Sequence, residues 1–331
     1  MRFISILLLV FVAAAGWLVY DGDRSLQLPL TLNGEATLHV PAGSNLKTLA
    51  EKLQRDGVIE RAEYLYGYAR LKQQAHKIKA GEFALNEQMS GYDLLRLLVQ
   101  GKSVQYRVTL VEGWNMRQVR EALAGADKLQ DDLSALDDTQ LLAALKLQDE
   151  YTLPEGLFMP DTYQYTAGDK ATAILRRAQA AMADYLDKAW PQRDQKSPLK
   201  TPYEAVILAS IVEKETGVGS ERGTISGVFS RRLIKGMKLQ TDPTVIYGIG
   251  PDFDGDIRRK DLRTDTPYNT YTRYGLPPTP IALAGREAID AALHPEAGSS
   301  FYFVAKGDGS HQFSDNLQQH EAAVRKYQLK R

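Results

Sequence analysis

Hydrophobic positions follow different patterns in successive parts of the chain. Residues 3–20 (FISILLLVFVAAAGWLVY) form an uncharged apolar run, and as a helix this run is about 27 Å long, just enough to span a bilayer. We therefore expect a transmembrane anchor over residues 1–20, followed by a linker over residues 21–35. A cleaved signal peptide is the alternative, but the run stays apolar through Tyr20, where a signal sequence would already be polar.

Charged residues on either side of this run predict how it is oriented. Arg2 precedes the run, and Asp21 and Asp23 follow it. Basic residues favour the cytoplasmic side of a membrane. We therefore expect a single-pass protein of the inner (plasma) membrane with the bulk of its chain in the periplasm.

Residues 36–103 combine strand and helix periods in a small unit. The expected elements are a strand at ATLHV (36–40), a one-faced helix from Leu46 to Leu53, a helix over 61–72, a strand at KAGEFAL (79–85) and a short helix capped by Ser90 and ended by Gly101. This βααβ order resembles a LysM module, a small fold that binds peptidoglycan glycans. The alternative is a spacer that holds the rest of the protein at a set height.

Residues 104–331 contain short strands and unevenly spaced helices. The pattern predicts a strand over 104–113, helices over 115–124, 169–190 and 202–216, turn and β structure over 156–168, a hairpin over 301–314 and a terminal helix. This mixture is typical of an α+β fold rather than of a regular βαβ repeat. We therefore assign residues 104–331 to a larger mixed α+β domain that carries the chemistry.

Composition excludes several classes of function. Lys+Arg and Asp+Glu number 41 each without a basic block, so a nucleic-acid partner is not expected. The chain has no cysteine and five scattered histidines, so we predict no metal site and no cofactor. Ser310 and His311 adjoin a hairpin turn without a third partner in view, so a hydrolase triad is not expected.

The stretch SIVEKET contains two glutamates, Glu213 and Glu215. On a helical wheel Glu215 falls at the centre of the apolar stripe formed within residues 207–212, and Glu213 falls on the far side. Two carboxylates at i and i+2 cannot enter one cleft together. We therefore predict that Glu215 points toward the core, and that Glu213 lies at the surface or behind the site, near Lys214 or Arg222.

An inward-pointing Glu215 would have unusual acid–base chemistry. A carboxyl group in apolar surroundings has a raised pKa, because its charged form loses hydration. Such a group can stay protonated near neutral pH and donate a proton to a leaving oxygen. The alternative is a structural glutamate held by a hydrogen bond or an arginine.

Two later segments carry groups that suit sugar rings. LQTDPTVIYG (239–248) and TPYNTYTRYGLPPTPIA (266–282) combine amides, hydroxyls and tyrosine rings with stiffening prolines. Sugars bind to planar apolar faces and to polar groups that pair with hydroxyls. Together with one buried glutamate, these segments indicate a glycan cleft. The predicted substrate-binding residues are Gln240, Thr241, Asp242, Asn269, Tyr271 and Pro277.

Several motifs resemble those of one known family. ILASIVEKET, SERGTISGVFSRRL, LQTDPTVIYG, TPYNTYTRYGLPP, AALHP and FYFVA occur in this order within residues 105–327 and are similar to those of the endolytic murein transglycosylase family (MltG, also called YceG-like). The resemblance implies that Glu215 is the catalytic acid. We expect Glu213 and Thr216 to lie behind it and support it. Thr216 stands where lytic transglycosylases of other folds often carry serine.

The resemblance also implies a reaction and its partners. We expect a lytic transglycosylase that cleaves MurNAc–GlcNAc bonds within peptidoglycan strands, leaves 1,6-anhydroMurNAc ends and terminates nascent strands, with cell-wall synthases as protein partners. One acid suffices, because the attacking MurNAc 6-hydroxyl is tethered to the reacting sugar. The alternatives are a non-catalytic peptidoglycan-binding scaffold, or a hydrolysing muramidase that uses Asp242 or Asp265 as a second carboxylate.

Overall fold

The computed structural model describes residues 2–41 and 43–329. The chain divides into two compact units, one formed by Met1–Tyr106 with Gln164–Asp169 and the other by Arg107–Tyr163 with Lys170–Arg331. Both units combine helices with short strands, so the predicted α+β class is confirmed.

Helix α1 (Arg2–Gln27) extends beyond the predicted anchor. Its segment from Ile4 to Gln27 is long and apolar enough to cross a membrane. The last helical turns pack on the first unit: the Tyr64 hydroxyl donates to Asp21 over 2.6 Å, and Leu26 is buried. The first half of the predicted linker is therefore helical and belongs to this unit, because its apolar side chains enter the core.

The first unit has the predicted strand–helix–helix–strand order. After α1 it contains β1 (Ala36–Val40), α2 (Leu46–Arg55), α3 (Ala62–Leu71), β2 (Gly81–Leu85) and α4 (Gly91–Gln100). Strand β1 pairs antiparallel with β2, with Ala36 opposite Leu85. A capping box between Ser90 and Asp93 begins α4, and Gly101 ends it in a left-handed conformation.

The remaining elements lie mainly in the second unit. In chain order they are β3 (Tyr106–Thr109), α5 (Met116–Ala124), α6 (Asp138–Leu145), β4 (Thr162–Tyr165), α7 (Ala171–Ala189), α8 (Pro202–Glu215), α9 (Arg222–Ile234), α10 (Asp242–Ile249), α11 (Arg259–Arg263), α12 (Arg286–Leu293), β5 (Tyr302–Ala305), β6 (His311–Ser314) and α13 (Leu317–Tyr327). Strand β3 pairs with β4, and β5 forms the predicted antiparallel hairpin with β6.

Helix α8 lies at the centre of the second unit. Every residue from Ala205 to Val212 is buried, and α9, α10 and α12 pack around the helix. The predicted pattern of one apolar stripe and a polar far side is wrong for this helix. A helix that is apolar on all sides is enclosed by its neighbours, so polar side chains at its end must find partners inside the protein.

Candidate active site

Glu215 is the last residue of helix α8. Thr201 caps the start of the helix by accepting a hydrogen bond from the Glu204 N–H, and Thr216 leaves the helix in an extended conformation. The buried Thr216 hydroxyl accepts a hydrogen bond of 2.9 Å from the Val218 N–H. Thr216 therefore stabilises the turn that directly follows Glu215.

Glu215 faces a cavity of about 500 Å³ within the second unit. Part of the lining comes from the start of α10, the residues before it and the loop after α11, and it includes Gln240, Asp242 and Tyr271. Another part comes from the β5–β6 hairpin and α13. It includes Tyr302, Phe303, His311 and His320. The cavity thus combines one acid with aromatic rings and hydrogen-bonding groups, as a saccharide site requires.

Thr241 holds the carboxyl group of Glu215. The Thr241 side chain is buried and its hydroxyl donates to Glu215 Oε1. Its own N–H donates to the Thr270 hydroxyl over 3.1 Å. Thr241 was predicted to bind substrate, but it does not line the cavity; it fixes the orientation of the acid from behind.

Burial raises the pKa of Glu215 from 4.5 to about 7. The hydrogen bond from Thr241 opposes this rise, the negative charge of Asp242 adds to it, and the positive charge of Arg232 opposes it. A carboxyl group with a pKa near neutrality can donate a proton and later accept one at the same pH.

Asp242 and Tyr271 form a hydrogen-bonded pair beside the acid. The Tyr271 hydroxyl donates to Asp242 Oδ1 over 2.6 Å, and burial raises the pKa of Tyr271 above its ordinary value. Gln240 is exposed at the cavity and has a left-handed backbone with a φ of 50°. Its N–H donates to the Thr270 carbonyl over 3.2 Å, which holds this conformation in place.

Two predicted cleft residues lie elsewhere. The Asn269 amide is only 1% exposed and donates to the carbonyls of Asp261 and Thr264 over 3.0 and 2.7 Å. Its oxygen accepts the Tyr271 N–H over 2.9 Å, so Asn269 shapes the loop that presents Tyr271. Pro277 lines a separate cavity of about 530 Å³. The amides and stiffening prolines of their segment suggested both residues, although a loop turns neighbouring side chains in different directions.

Glu213 is part-buried, and its carboxylate is turned into the protein rather than toward the surface. Its side chain is 7% exposed and lies 3.3 Å from the Arg222 guanidinium, the second of the two predicted neighbours. It also accepts the Gly285 N–H over 3.0 Å. Because the preceding turns of α8 are enclosed on all sides, Glu213 enters the protein opposite Glu215 and ties α8 to α9 and α12.

Arg232 also lines the cavity, although no sequence pattern predicted it. Arg232 is 6% exposed, and it donates to the carbonyls of Phe301 and Leu239 over 2.6 and 2.8 Å. Its guanidinium lies over the Tyr302 ring at 5.1 Å from the centroid. In the sequence it was only part of a basic stretch, since its contacts come from distant segments.

A second buried acid, Glu155, was also missed. Burial raises its pKa to about 7, and it accepts hydrogen bonds of 3.0 Å from the Met116 N–H and from the Tyr247 hydroxyl. Glu155 does not line the cavity that contains Glu215. Its contacts stabilise the start of helix α5, where backbone N–H groups have no partner within the helix.

Comparison with known proteins assigns the chain to a family. The sequence model of the YceG-like family matches residues 38–326. The chain belongs to the YceG-like family. This family match spans all the cavity-lining residues except Gln328.

Relatives of this YceG-like chain include named enzymes. The endolytic murein transglycosylase of Bacillus subtilis (strain 168) is 30% identical over 321 residues, which are 92% of this chain and 88% of the relative. That of Streptococcus pneumoniae serotype 2 is 27% identical over 350 residues, 96% of this chain and 63% of the relative.

A solved structure has the same fold. The crystal structure of a YceG-like protein from Listeria monocytogenes matches with a TM-score of 0.56 and 29% sequence identity, and the match covers 87% of this chain and 98% of the other.

Proposed function

We propose that this protein is an endolytic murein transglycosylase that cleaves MurNAc–GlcNAc bonds within peptidoglycan strands and leaves 1,6-anhydroMurNAc ends. The observation that carries the proposal is Glu215, an acid with a pKa near neutrality at a cavity lined by aromatic and hydrogen-bonding side chains. The relatives named above act on murein according to their names, and the family match covers the residues around Glu215.

One carboxyl group can carry both proton transfers of this reaction. Protonated Glu215 donates its proton to the glycosidic oxygen as the bond from that oxygen to C1 breaks. The resulting carboxylate then takes the proton of the MurNAc 6-hydroxyl as its oxygen bonds to C1, so Glu215 ends protonated. The nucleophile belongs to the same sugar, which removes much of the entropic cost of the second step.

The hydrolytic alternative requires a second carboxylate to activate water. Asp265 does not line the cavity, and its bidentate pair with Arg273, with two contacts of 2.9 Å, lowers its pKa to about 2. Asp242 lines the cavity but accepts the Tyr271 hydroxyl. These contacts favour the lyase over a muramidase. The scaffold alternative gives no reason for a part-buried carboxyl group that Thr241 holds at the cavity.

We assign Gln240, Asp242 and Tyr271 to substrate binding, because all three line the cavity beside Glu215. The Tyr271 ring offers an apolar face, and Gln240 offers an amide that can pair with hydroxyl or N-acetyl groups. Tyr271 also holds Asp242, so the pair acts as one polar edge of the cavity.

We further propose that the first unit is LysM-like and binds the same glycan. It contains a cavity of about 710 Å³ lined by residues from the β1–α2 loop and the end of α3, among them Asn45, Tyr66, Arg70 and His76. Amide, guanidinium and aromatic groups of this kind suit saccharides. A spacer would bind no glycan.

We propose that helix α1 is a retained anchor in the plasma membrane, with the bulk of the chain in the periplasm. Its side chains between Ile4 and Tyr20 are largely exposed, which suits lipid surroundings. An anchored enzyme meets strands as they leave the membrane. Nascent strands are therefore the expected substrate, and cell-wall synthases are the expected protein partners.

Product analysis on purified glycan strands tests the proposal. The wild-type protein should leave anhydro ends, which are lighter than reducing ends by one water in mass spectra. Glu215→Gln should abolish them with the fold intact, whereas Glu213→Gln, two residues away on the same helix, should reduce them much less. Reducing ends would support the muramidase, and strand binding without new ends would support the scaffold.

A further inference from the structure

His311 is held in one orientation at the cavity wall. It is the first residue of β6, and both its N–H and its ring bind the same carboxylate: the N–H donates to Glu221 Oε1 over 3.0 Å, and Nδ1 lies 2.7 Å from Glu221 Oε2. The Phe303 ring packs edge-on against the imidazole, with 5.3 Å between ring centroids. Rotation of the imidazole would break the contact with Glu221.

These contacts determine which ring nitrogen is available. A carboxylate accepts hydrogen bonds, so Nδ1 carries the hydrogen that points to Glu221. In the neutral ring Nε2 is then an acceptor, and it is the ring nitrogen left for a ligand. His311 lines the same cavity as Glu215.

We propose that His311 is a substrate-positioning residue whose Nε2 accepts a hydrogen bond from a hydroxyl group of the saccharide bound beside Glu215, and that Glu221 fixes the tautomer that makes this possible. The inference rests on the proposed function for its substrate class. The imidazole gains and loses no proton in the reaction; it orients the sugar, while Glu215 carries out both proton transfers.

Two conservative variants separate this role from a structural one. Asparagine places its amide near the position of Nδ1, so His311→Asn can keep the contact with Glu221 but offers nothing to the cavity. Glutamine reaches toward the position of Nε2, so His311→Gln can offer its amide oxygen to the hydroxyl but loses the contact with Glu221. We expect His311→Asn to lower kcat/KM about ten- to hundredfold, and His311→Gln to lower it less.

Stability should follow the opposite order. His311→Asn should melt closer to the wild type than His311→Gln, because it keeps the bond to Glu221. His39→Gln is the matched control, since His39 lies 3.8 Å from Glu82 in the first unit and does not line the cavity. It should leave kcat/KM unchanged. If His311→Gln is the less active of the two His311 variants, activity follows stability and the proposal is overturned.

A binding arm keeps this test independent of turnover. Calorimetry measures how tightly three proteins bind purified glycan strands. The three proteins are the Glu215→Gln variant alone, and the same variant combined with either His311→Asn or His311→Gln. His311→Asn should weaken binding more than His311→Gln does; equal affinities, or the reverse order, would refute the positioning role. If the wild-type protein leaves no anhydro ends, the proposed reaction fails, and the binding order still decides the role of His311.

Discussion

Replacing Glu215 with glutamine should change how the stability of the protein depends on pH. Burial raises the pKa of this carboxyl group from 4.5 to about 7 in the folded protein. A rise of about 2.5 corresponds to about 3 kcal/mol, because each unit of pKa is worth about 1.4 kcal/mol. Glutamine has a similar shape and carries no titrating proton.

The direction of this pH dependence follows from the number of protons that the folded and unfolded states bind. Below the unfolded-state pKa both states hold the proton, and the contribution of Glu215 to stability is fully present. As the pH rises toward the folded pKa of about 7, the unfolded state releases its proton first, so the free energy of unfolding falls. Above that pH the decrease in the free energy of unfolding is complete. Relative to the wild type, Glu215→Gln should therefore gain about 3 kcal/mol between pH 4.5 and about 8.

Urea unfolding of both proteins across this pH range measures the difference. Tryptophan fluorescence reports mainly the second unit, because two of the three tryptophans, Trp114 and Trp190, lie there. Glu155 also has a pKa raised to about 7, but it is present in both proteins and cancels in the difference. A difference in unfolding free energy that stays constant with pH would refute the raised pKa and, with it, the physical basis of the assigned acid.

Three further perturbations test the site and the anchor. Thr241→Val removes the hydrogen bond that lowers the pKa of Glu215, so cleavage should fall about tenfold and its optimum should move to higher pH; an unchanged pH–rate profile would contradict this. Arg222→Leu leaves the Glu213 carboxylate buried without its cation, and urea unfolding should show a loss of about 3 kcal/mol; a loss below about 1 kcal/mol would mean the pair is effectively solvated. Removal of residues 1–20 should release a folded protein from membranes in a sedimentation assay, whereas continued membrane association would exclude a sole anchor in α1.

Some elements could be predicted because their causes are local. The order of elements in the first unit follows from apolar periods and caps, such as Ser90 and Gly101 around α4. The β5–β6 hairpin follows from a turn in which Gly307 and Gly309 adopt positive φ angles of 93° and 87°. Helical continuation to Gln27 was missed, because the polar residues after Tyr20 gain stability from packing that no local pattern reveals.

The choice of Glu215 shows both the strength and the weakness of periodicity. The wheel correctly separated Glu215 from Glu213, since two residues at i and i+2 always point apart on a helix. The wheel left a surface position for Glu213 as one alternative, because a wheel contains no information on the other elements that cover α8 on every side. Whether the far face of an apolar helix is covered depends on the rest of the chain.

By itself, the sequence determined the helix that carries the acid, the opposite directions of its two glutamates and the family to which the chain belongs. Tertiary structure alone decided what surrounds that acid. Thr241 reaches Glu215 across 26 residues of sequence, and Glu221 reaches His311 across 90. Helical and strand periods arise from hydrogen bonds between near neighbours, whereas a pKa and a ring orientation depend on groups that only folding brings together.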